Sequence, residues 1–114
     1  MSKDKSHLFD IYHACELIEQ FTKGVDLKSF QADVMRQDAI MRRIEIIGEA
    51  SNNLSDEFKE KHDEIPWALI KGMRNRLVHE YNEVDLELVW TTSQEDIPRL
   101  LHLLKPHIDK NRYL

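Results

Sequence analysis

The sequence predicts an all-α fold, with residues 1–114 forming one domain. The chain suits one ordinary domain but not two, and 41% of its residues are hydrophobic, which suffices for a core. Glycine and proline number only three each and are spread apart, whereas an all-β domain needs many turns. We therefore expect an antiparallel up-and-down bundle of four main helices and one short helix. A domain of this size buries only about two thirds of its unfolded surface, so an uncovered apolar stripe would favour a homodimer.

Two long helices are predicted in the first half of the chain. Apolar residues recur at intervals of three and four from residue 7 to 23, and Gly24 stands where a helix C-cap usually falls. The second helix should run from about residue 30 to 54, which makes it the longest rod in the molecule. Asp26 or Ser29 could cap the start of this stretch.

A short helix and a further main helix follow. Ser55 opens a strongly charged helix over residues 56–62, with acids in its first turn. The next helix should begin at Pro66, because proline is tolerated at the first helical position, and should reach about residue 81. Gly72 in its interior costs about 1 kcal/mol relative to alanine, and such a glycine often lets another backbone approach closely.

The last helical region should extend from residue 86 to about 108, with Asp85 as its cap. Pro98 is expected to kink or split this region, because its ring removes one hydrogen bond of the helix. Together these elements make up the four main helices and the short one.

Charge and cysteine content restrict the function classes. A net charge of −5 and a pI near 5.6 argue against a general nucleic-acid coating protein, although a small basic site remains possible on an acidic body. The single cysteine, Cys15, cannot form an internal disulfide and should pack as a small hydrophobe. No signal peptide and no apolar run of the roughly 20 residues needed to span a bilayer is visible. We expect a cytoplasmic protein without membrane contact.

One segment reverses the acidic character of the chain. Residues 67–79 contain three basic residues and no carboxylate. At about 100° per residue, the apolar residues Ile70, Met73 and Leu77 share one face, which should point into the core. The other side of the helix, over an arc of roughly 140°, should carry the polar groups of the segment: Lys71, Arg74, Asn75 and His79. Tyr81 should fall about 20° beyond Arg74, and Arg76 is the third basic residue of the segment.

These groups suit cleavage of RNA without a metal ion. Histidine can take the proton of the ribose 2′-hydroxyl and can also protonate the leaving oxygen, because it titrates near neutrality. Arginine matches the charge that builds on the phosphoryl oxygens. Nearby cations would favour the neutral, basic form of His79. One helix supplies only one Arg74 and one His79, so a two-fold pair of helices would be needed to bring two of each into one cleft.

The segment also carries a recognisable motif. Residues 74–81 read R-N-x-L-x-H-x-Y, which resembles the R-X4-H-x-Y signature of HEPN-domain toxins, in particular the HepT family. The pattern R-X4-H alone would arise often by chance. Further matches flank it in the family's order, from about residue 33 to 101: residues 37–40, 43–50, 65–67, 72–73, 89–90 and 96–98.

The resemblance implies a fold, an activity and a set of site residues. Members of the family are homodimeric helical bundles with a composite, metal-independent endoribonuclease site at the dimer interface. By position, Arg74 and His79 would be the catalytic pair and Asn75 the polar residue that supports them. No metal or other cofactor is implied.

The resemblance further implies a toxin–antitoxin pair. The partner would be a nucleotidyltransferase antitoxin of the MntA type, which transfers AMP from ATP to the motif tyrosine, here Tyr81. A phosphate and its bulk beside Arg74 would block the cleft and repel RNA.

Several alternatives stay open at this point. The same surface could bind RNA or a nucleotide without cleaving it, or dock a partner. Lys71 and Arg76 could contact RNA phosphates or be ordinary solvated side chains, and Asn75 could make a structural hydrogen bond. Tyr81 could simply anchor the end of its helix. Glu49 could pair within its own helix or orient a site arginine.

The remaining sequence features have simpler interpretations. The other histidines lack the i, i+4 pairing or nearby cysteine that metal sites favour, so no metal site is expected among them: His7, His13, His62, His102 and His107. Three methionines should fill the core or a dimer interface: Met35, Met41 and Met73.

Overall fold

The computed structural model describes residues 3–79 and 83–108, and in these ranges the chain is all-α, as predicted. The α-helices are α1 (Lys3–Thr22), α2 (Leu27–Gln31), α3 (Val34–Asn53), α4 (Asp56–Lys61), α5 (Trp67–Arg76), α6 (Leu86–Thr91) and α7 (Ile97–Leu104). A π-helical turn, Thr92–Asp96, joins α6 to α7, and a 3-10 turn, Lys105–His107, follows α7.

The core lies among four of these helices. Helix α1 packs against α3 and α7, and α3 packs against α5. One cluster of buried apolar side chains links them, with Ile11, Ile44, Ile70 and Leu100 as examples from the four helices. Burying an aliphatic side chain of this size contributes about 1.5–3 kcal/mol relative to leaving it exposed. The packing therefore fixes α5, the helix that carries the basic segment, against α3.

The predicted second helix is divided into α2 and α3. Asp33 is the reason, because its carboxylate accepts hydrogen bonds from the backbone N–H and the Nε of Arg36, both at 3.1 Å. A side chain that caps a new helix competes with continuation of the old one. The cap at the start of α2 is Asp26, which accepts from the backbone N–H of Ser29 at 2.8 Å. Of the two caps considered, Asp26 is therefore the one used.

The last helical region departs from α-helical geometry before Pro98 rather than at it. The π-helical turn Thr92–Asp96 widens the helix, and Pro98 then falls in the first turn of α7. Proline is tolerated there because the first N–H groups of a helix have no partner within it. The expected disruption therefore exists, but it precedes the proline.

A side-chain contact fastens the start of α1 to the corner between α3 and α4. The Asp4 carboxylate accepts hydrogen bonds from the backbone N–H of Ser55 at 2.8 Å and from its hydroxyl at 2.7 Å. The backbone hydrogen bond is the main cause that holds the pKa of Asp4 below its ordinary value. Ser55 in turn caps α4 by accepting from the N–H of Phe58 at 3.1 Å.

Cys15 is fully buried in α1, and burial raises the pKa of its thiol, which confirms that it packs as a hydrophobe. Among the described residues, no helix combines the length and the apolar character that crossing a membrane requires.

Candidate active site

Helix α5 ends at Arg76 and does not reach Tyr81, so the predicted end of this helix was wrong. After the C-cap Leu77, the chain forms an antiparallel bridge between Val78 and Val84. The backbone N–H of Asp85 donates to the carbonyl of Leu77 at 2.8 Å, and that of His79 donates to the carbonyl of Glu83 at 2.6 Å. The carbonyl of Leu77 and the N–H of His79 are thus bonded to residues 83–85. In a longer helix these groups would have formed intrahelical hydrogen bonds, so the pairing ends α5.

The two faces predicted for the basic segment are found on α5 itself. Ile70, Met73 and Leu77 are buried, and the basic and amide groups are exposed: Lys71, Arg74, Asn75 and Arg76. His79 is also exposed, but it projects from the segment after the helix. Its position relative to Arg74 is therefore set by the Val78–Val84 pairing and not by helical rotation. Tyr81 lies outside the described residues.

The imidazole of His79 has a carboxylate partner that the sequence interpretation missed. His79 Nε2 lies 3.1 Å from Asp85 Oδ2, within hydrogen-bond distance. The other oxygen of Asp85 accepts from the backbone N–H of Leu88 at 3.1 Å and so caps α6. The backbone hydrogen bond from Leu88, followed by the contact with His79, lowers the pKa of the Asp85 carboxyl. Asp85 was correctly expected to be a helix cap, but nothing in its spacing indicated a second role.

This contact assigns the two ring nitrogens of His79. An ionised carboxylate can only accept hydrogen bonds, so the proton in the contact with Asp85 must sit on Nε2. In the neutral ring the lone pair is then on Nδ1. Nδ1 is therefore the atom of His79 that could take a proton from a substrate. Asp85 holds the ring in place through Nε2.

The charge next to His79 is negative, not positive as expected. Asp85 is the ion-pair partner of His79 within residues 3–79 and 83–108. In the same ranges no hydrogen bond or ion pair engages the Arg74 guanidinium, so its donors are available to an anionic ligand.

Arg76 is committed elsewhere. Its Nη2 donates to the carbonyl of Leu69 at 3.2 Å, so the guanidinium folds back along its own helix. The nearest atom that a Cβ at Gly72 would meet is Arg76 Nη1, at 3.6 Å. Within the described part of the chain, the neighbour of Gly72 is therefore the Arg76 side chain. It is not a second backbone, which the glycine suggested.

Two further features bear on the site. Glu49 Oε1 lies 3.8 Å from Nη1 of Arg42 on the same helix. This contact favours an ion pair within α3 over a role in orienting a site arginine. A groove of about 580 Å³ lies elsewhere, and its lining includes Glu16, Glu19 and Pro98. Its carboxylates would repel RNA, so the chemistry expected of the basic segment does not belong there.

A sequence profile of the family described as Ribonuclease HepT-like matches residues 11–106 of the chain. This chain belongs to the HepT-like ribonuclease family. Among the relatives of this HepT-like chain, a Thermococcus cleftensis protein named "Probable ribonuclease HepT" is 47% identical over 96 residues, covering 84% of this chain and 87% of the relative. "Putative RNase TTE0752" of Caldanaerobacter subterraneus subsp. tengcongensis is 38% identical over 112 residues, covering 98% of this chain and 100% of the relative. No solved structure gives a significant match.

In this HepT-like chain, the motif and Asp85 supply an oriented imidazole and an exposed guanidinium. Among the described residues, Asp85 orients one nitrogen of His79, the other nitrogen has no hydrogen-bond partner, and the donors of Arg74 are unpaired. Cleavage of a phosphodiester also needs an acid for the leaving oxygen. Within the described residues, no hydrogen bond or ion pair joins a second imidazole to His79.

Proposed function

We propose that this chain is the toxin of a toxin–antitoxin pair: an endoribonuclease that cleaves RNA without a metal ion, at a site shared by two copies of the chain. The relatives named as ribonucleases support the activity class. The observation that carries the proposal is the contact between His79 and Asp85. It occupies Nε2 and leaves Nδ1, which has no partner among the described residues, to act as the base. Orientation of a histidine by a carboxylate is a recurrent device in acid–base catalysis.

The proposed reaction is attack by the ribose 2′-hydroxyl on the adjacent phosphorus. His79 Nδ1 takes the hydroxyl proton as the new P–O2′ bond forms. The P–O5′ bond breaks, and the imidazolium of the second copy protonates the leaving oxygen. The products are a 2′,3′-cyclic phosphate and a free 5′-hydroxyl. Arg74 donates to the non-bridging oxygens, where negative charge builds in the transition state.

Neighbouring residues of α5 have supporting roles in this proposal. Asn75, exposed beside Arg74, helps to position the arginine, and Lys71 contacts RNA phosphates from the same exposed side. Arg76 joins them by releasing its hydrogen bond to Leu69. Each phosphate contact makes binding weaker at higher salt.

The homodimer is supported by uncovered apolar side chains. Val34 is 65% exposed, Met35 84% and Leu88 39%, large fractions for residues of these types. A shared site also explains why Arg74 and His79 lie at the surface of a single chain. The antiparallel, up-and-down order of the main helices belongs to the same proposal and is supported by the short connections between successive helices.

Regulation by adenylylation follows from the position of Tyr81 in the sequence. Only one residue lies between it and His79, so covalent geometry keeps their Cα atoms within about 7 Å. A nucleotidyltransferase antitoxin would let the tyrosine oxygen attack the α-phosphorus of ATP and release pyrophosphate. The attached AMP places a negative charge beside the groups that must bind RNA phosphate.

The cleavage test compares variants of the motif with matched controls. Wild type, Arg74→Ala and His79→Ala are incubated with a defined RNA in EDTA, together with Arg42→Ala and His13→Ala, which remove an exposed arginine and an exposed histidine elsewhere. We expect each motif variant to lose at least about 100-fold in rate, and the controls to cleave like wild type. Equal cleavage by all five proteins, or a wild type that cleaves no RNA, would contradict the proposal.

The regulatory part has its own test. Expression of the chain should arrest growth, and co-expression of a nucleotidyltransferase should relieve the arrest. Mass spectrometry of the co-expressed protein should locate AMP on Tyr81, and a Tyr81→Phe variant should escape neutralisation. Unmodified Tyr81 in a neutralised complex would contradict adenylylation while leaving the nuclease proposal intact.

A further inference from the structure

Two histidines and a glutamate lie close together before α5, and one of the histidines comes from a distant part of the chain. His62 is the C-cap of α4, Glu64 lies in the connection to α5, and His107 ends the 3-10 turn after α7. Glu64 Oε2 lies 4.0 Å from His62 Nδ1 and 3.5 Å from His107 Nε2. The three potential ligand atoms all lie within 4.8 Å of one another.

The spacing is close to that of a zinc site. Tetrahedral zinc with bonds of about 2.0–2.2 Å holds its ligand atoms roughly 3.3 Å apart. Each pair in the cluster would need to contract by no more than about 1.5 Å to reach that spacing. Two imidazoles and one carboxylate are also a donor set that zinc accepts, with water in the fourth position.

The ring of His62 is held in place by its surroundings. The backbone carbonyl of His62 accepts hydrogen bonds from the indole Nε1 of Trp67 at 3.0 Å and from the backbone N–H of Ile65 at 3.2 Å. The ring packs on Phe58, with centroids 4.4 Å apart, and on the ring of His107 at the same distance. Much of the ordering that a metal site requires is therefore already present.

The charge balance of the cluster favours a cation. Within residues 3–79 and 83–108, no lysine or arginine forms an ion pair with Glu64, whose recorded partners are the two histidines. The histidine side chains are each 26% exposed, which shields the site and still leaves a path for an ion.

We propose that His62, Glu64 and His107 bind one divalent transition-metal ion per chain, with zinc as the ion that fits best. The ion would join the turn after α7 to the connection between α4 and α5. Helix α5 rises about 15 Å between this cluster and the segment that carries His79. The role assigned to the ion is therefore structural, and it is independent of the proposed cleavage chemistry.

The test uses the full chain without an affinity tag, stripped with EDTA and dialysed. Zinc chloride is titrated by calorimetry into wild type and the variants His62→Gln, Glu64→Gln and His107→Gln. His102→Gln is the matched control, because His102 is an exposed histidine of α7 outside the cluster. We expect one zinc per wild-type and control chain, and an affinity at least about tenfold lower in each cluster variant.

Thermal unfolding supplies a second readout. Zinc at about a hundredfold excess over its Kd should raise the Tm of wild type and of His102→Gln by about 10 °C. Cobalt in place of zinc should give the intense visible absorption of a tetrahedral site. Absence of zinc binding by wild type, or the same affinity in His107→Gln and His102→Gln, would overturn the proposal. Octahedral cobalt with water ligands alone would overturn it as well.

Discussion

The imidazole of His79 and the carboxylate of Asp85 lie 3.1 Å apart, and the second oxygen of Asp85 accepts from the backbone N–H of Leu88. One side chain thus orients the histidine and begins α6. The backbone N–H of Asp85 is also bonded, to the carbonyl of Leu77 at the end of α5. Asp85 therefore connects two helices and the candidate base, and its contribution to cleavage can be separated from its contribution to folding.

Asp85→Asn should lower kcat by about 10–100-fold and leave KM nearly unchanged. Asparagine caps a helix about as well as aspartate, so Tm should change little. Its neutral amide neither fixes the tautomer of His79 nor stabilises the imidazolium. Steady-state kinetics and thermal unfolding check both halves of this prediction.

The controls for Asp85 use a second capping aspartate and a longer acid. Asp33→Asn alters the cap of α3 and should cleave at the wild-type rate. Asp85→Glu should recover part of the lost kcat, because it restores a carboxylate. If Asp85→Asn and Asp33→Asn have the same kcat, Asp85 does not position the base.

Mixing subunits tests whether the site is shared. Wild type is co-refolded with increasing amounts of His79→Ala, and the total cleavage rate is measured. If each site needs an imidazole from both copies, every mixed pair is impaired and the rate per wild-type chain falls as variant is added. Mixing with Arg42→Ala should leave the two activities additive. A rate per wild-type chain that is unaffected by His79→Ala would show that one chain suffices.

Replacing the helical glycines by alanine should stabilise the chain. A Cβ at Gly48 meets nothing within 4 Å, and one at Gly72 meets only the end of the Arg76 side chain at 3.6 Å. Each substitution should add about 0.5–1 kcal/mol to the free energy of unfolding, measured in urea.

The two glycines differ in what they say about the dimer. Gly72 lies on the helix that carries the candidate site, whereas Gly48 lies on α3. If the second copy contacts α5 at Gly72, Gly72→Ala should weaken association in sedimentation experiments, while Gly48→Ala should not. A lower stability of Gly72→Ala with unchanged association would contradict the open space found around this residue.

Acid should destabilise the chain through four aspartates that accept backbone hydrogen bonds. Asp4, Asp26, Asp33 and Asp85 each accept a backbone hydrogen bond, which is the largest cause of their lowered pKa values. In the unfolded chain the pKa of an aspartate is about 3.9. Between that pH and the lower pKa values of the folded chain, the unfolded chain therefore binds more protons than the folded chain. Their stabilisation is present above about pH 4 and is lost as the pH falls through the folded pKa values.

The measurement is Tm from circular dichroism between about pH 2 and 6. Asp4→Asn should reduce the slope of Tm against pH, because asparagine cannot be protonated there. Asp38→Asn is the control, since Asp38 is exposed on α3 and forms no recorded hydrogen bond with the described residues. Equal slopes in wild type and Asp4→Asn would contradict this account.

The sequence predicted the helices well and their ends less well. The spacing of Ile70, Met73 and Leu77 located the buried face of α5 correctly. The end of α5 depends on the pairing of Val78 with Val84, a tertiary contact that leaves no periodic signal. For the same reason the spacing could not show that Asp33 begins a new helix, since its hydrogen bonds compete locally with a continuous apolar stripe.

The groups around the candidate site were partly predictable. Arg74 and His79 were visible because they interrupt an acidic chain with an acid-free segment. The role of Asp85 was not visible, because a helix cap gives the same sequence pattern with or without a histidine beside it. His62 and His107 were set aside as metal ligands for lack of local spacing, and only the packing of α7 brings them together.

The Asp4–Ser55 contact has a practical consequence for producing the protein. Cutting the chain back beyond Asp4 would leave the backbone N–H and the hydroxyl of Ser55 without their acceptor. The corner between α3 and α4 would then loosen, although the deletion is more than fifty residues away in sequence. Fusion partners are better attached ahead of Lys3 than used to replace the first turn of α1.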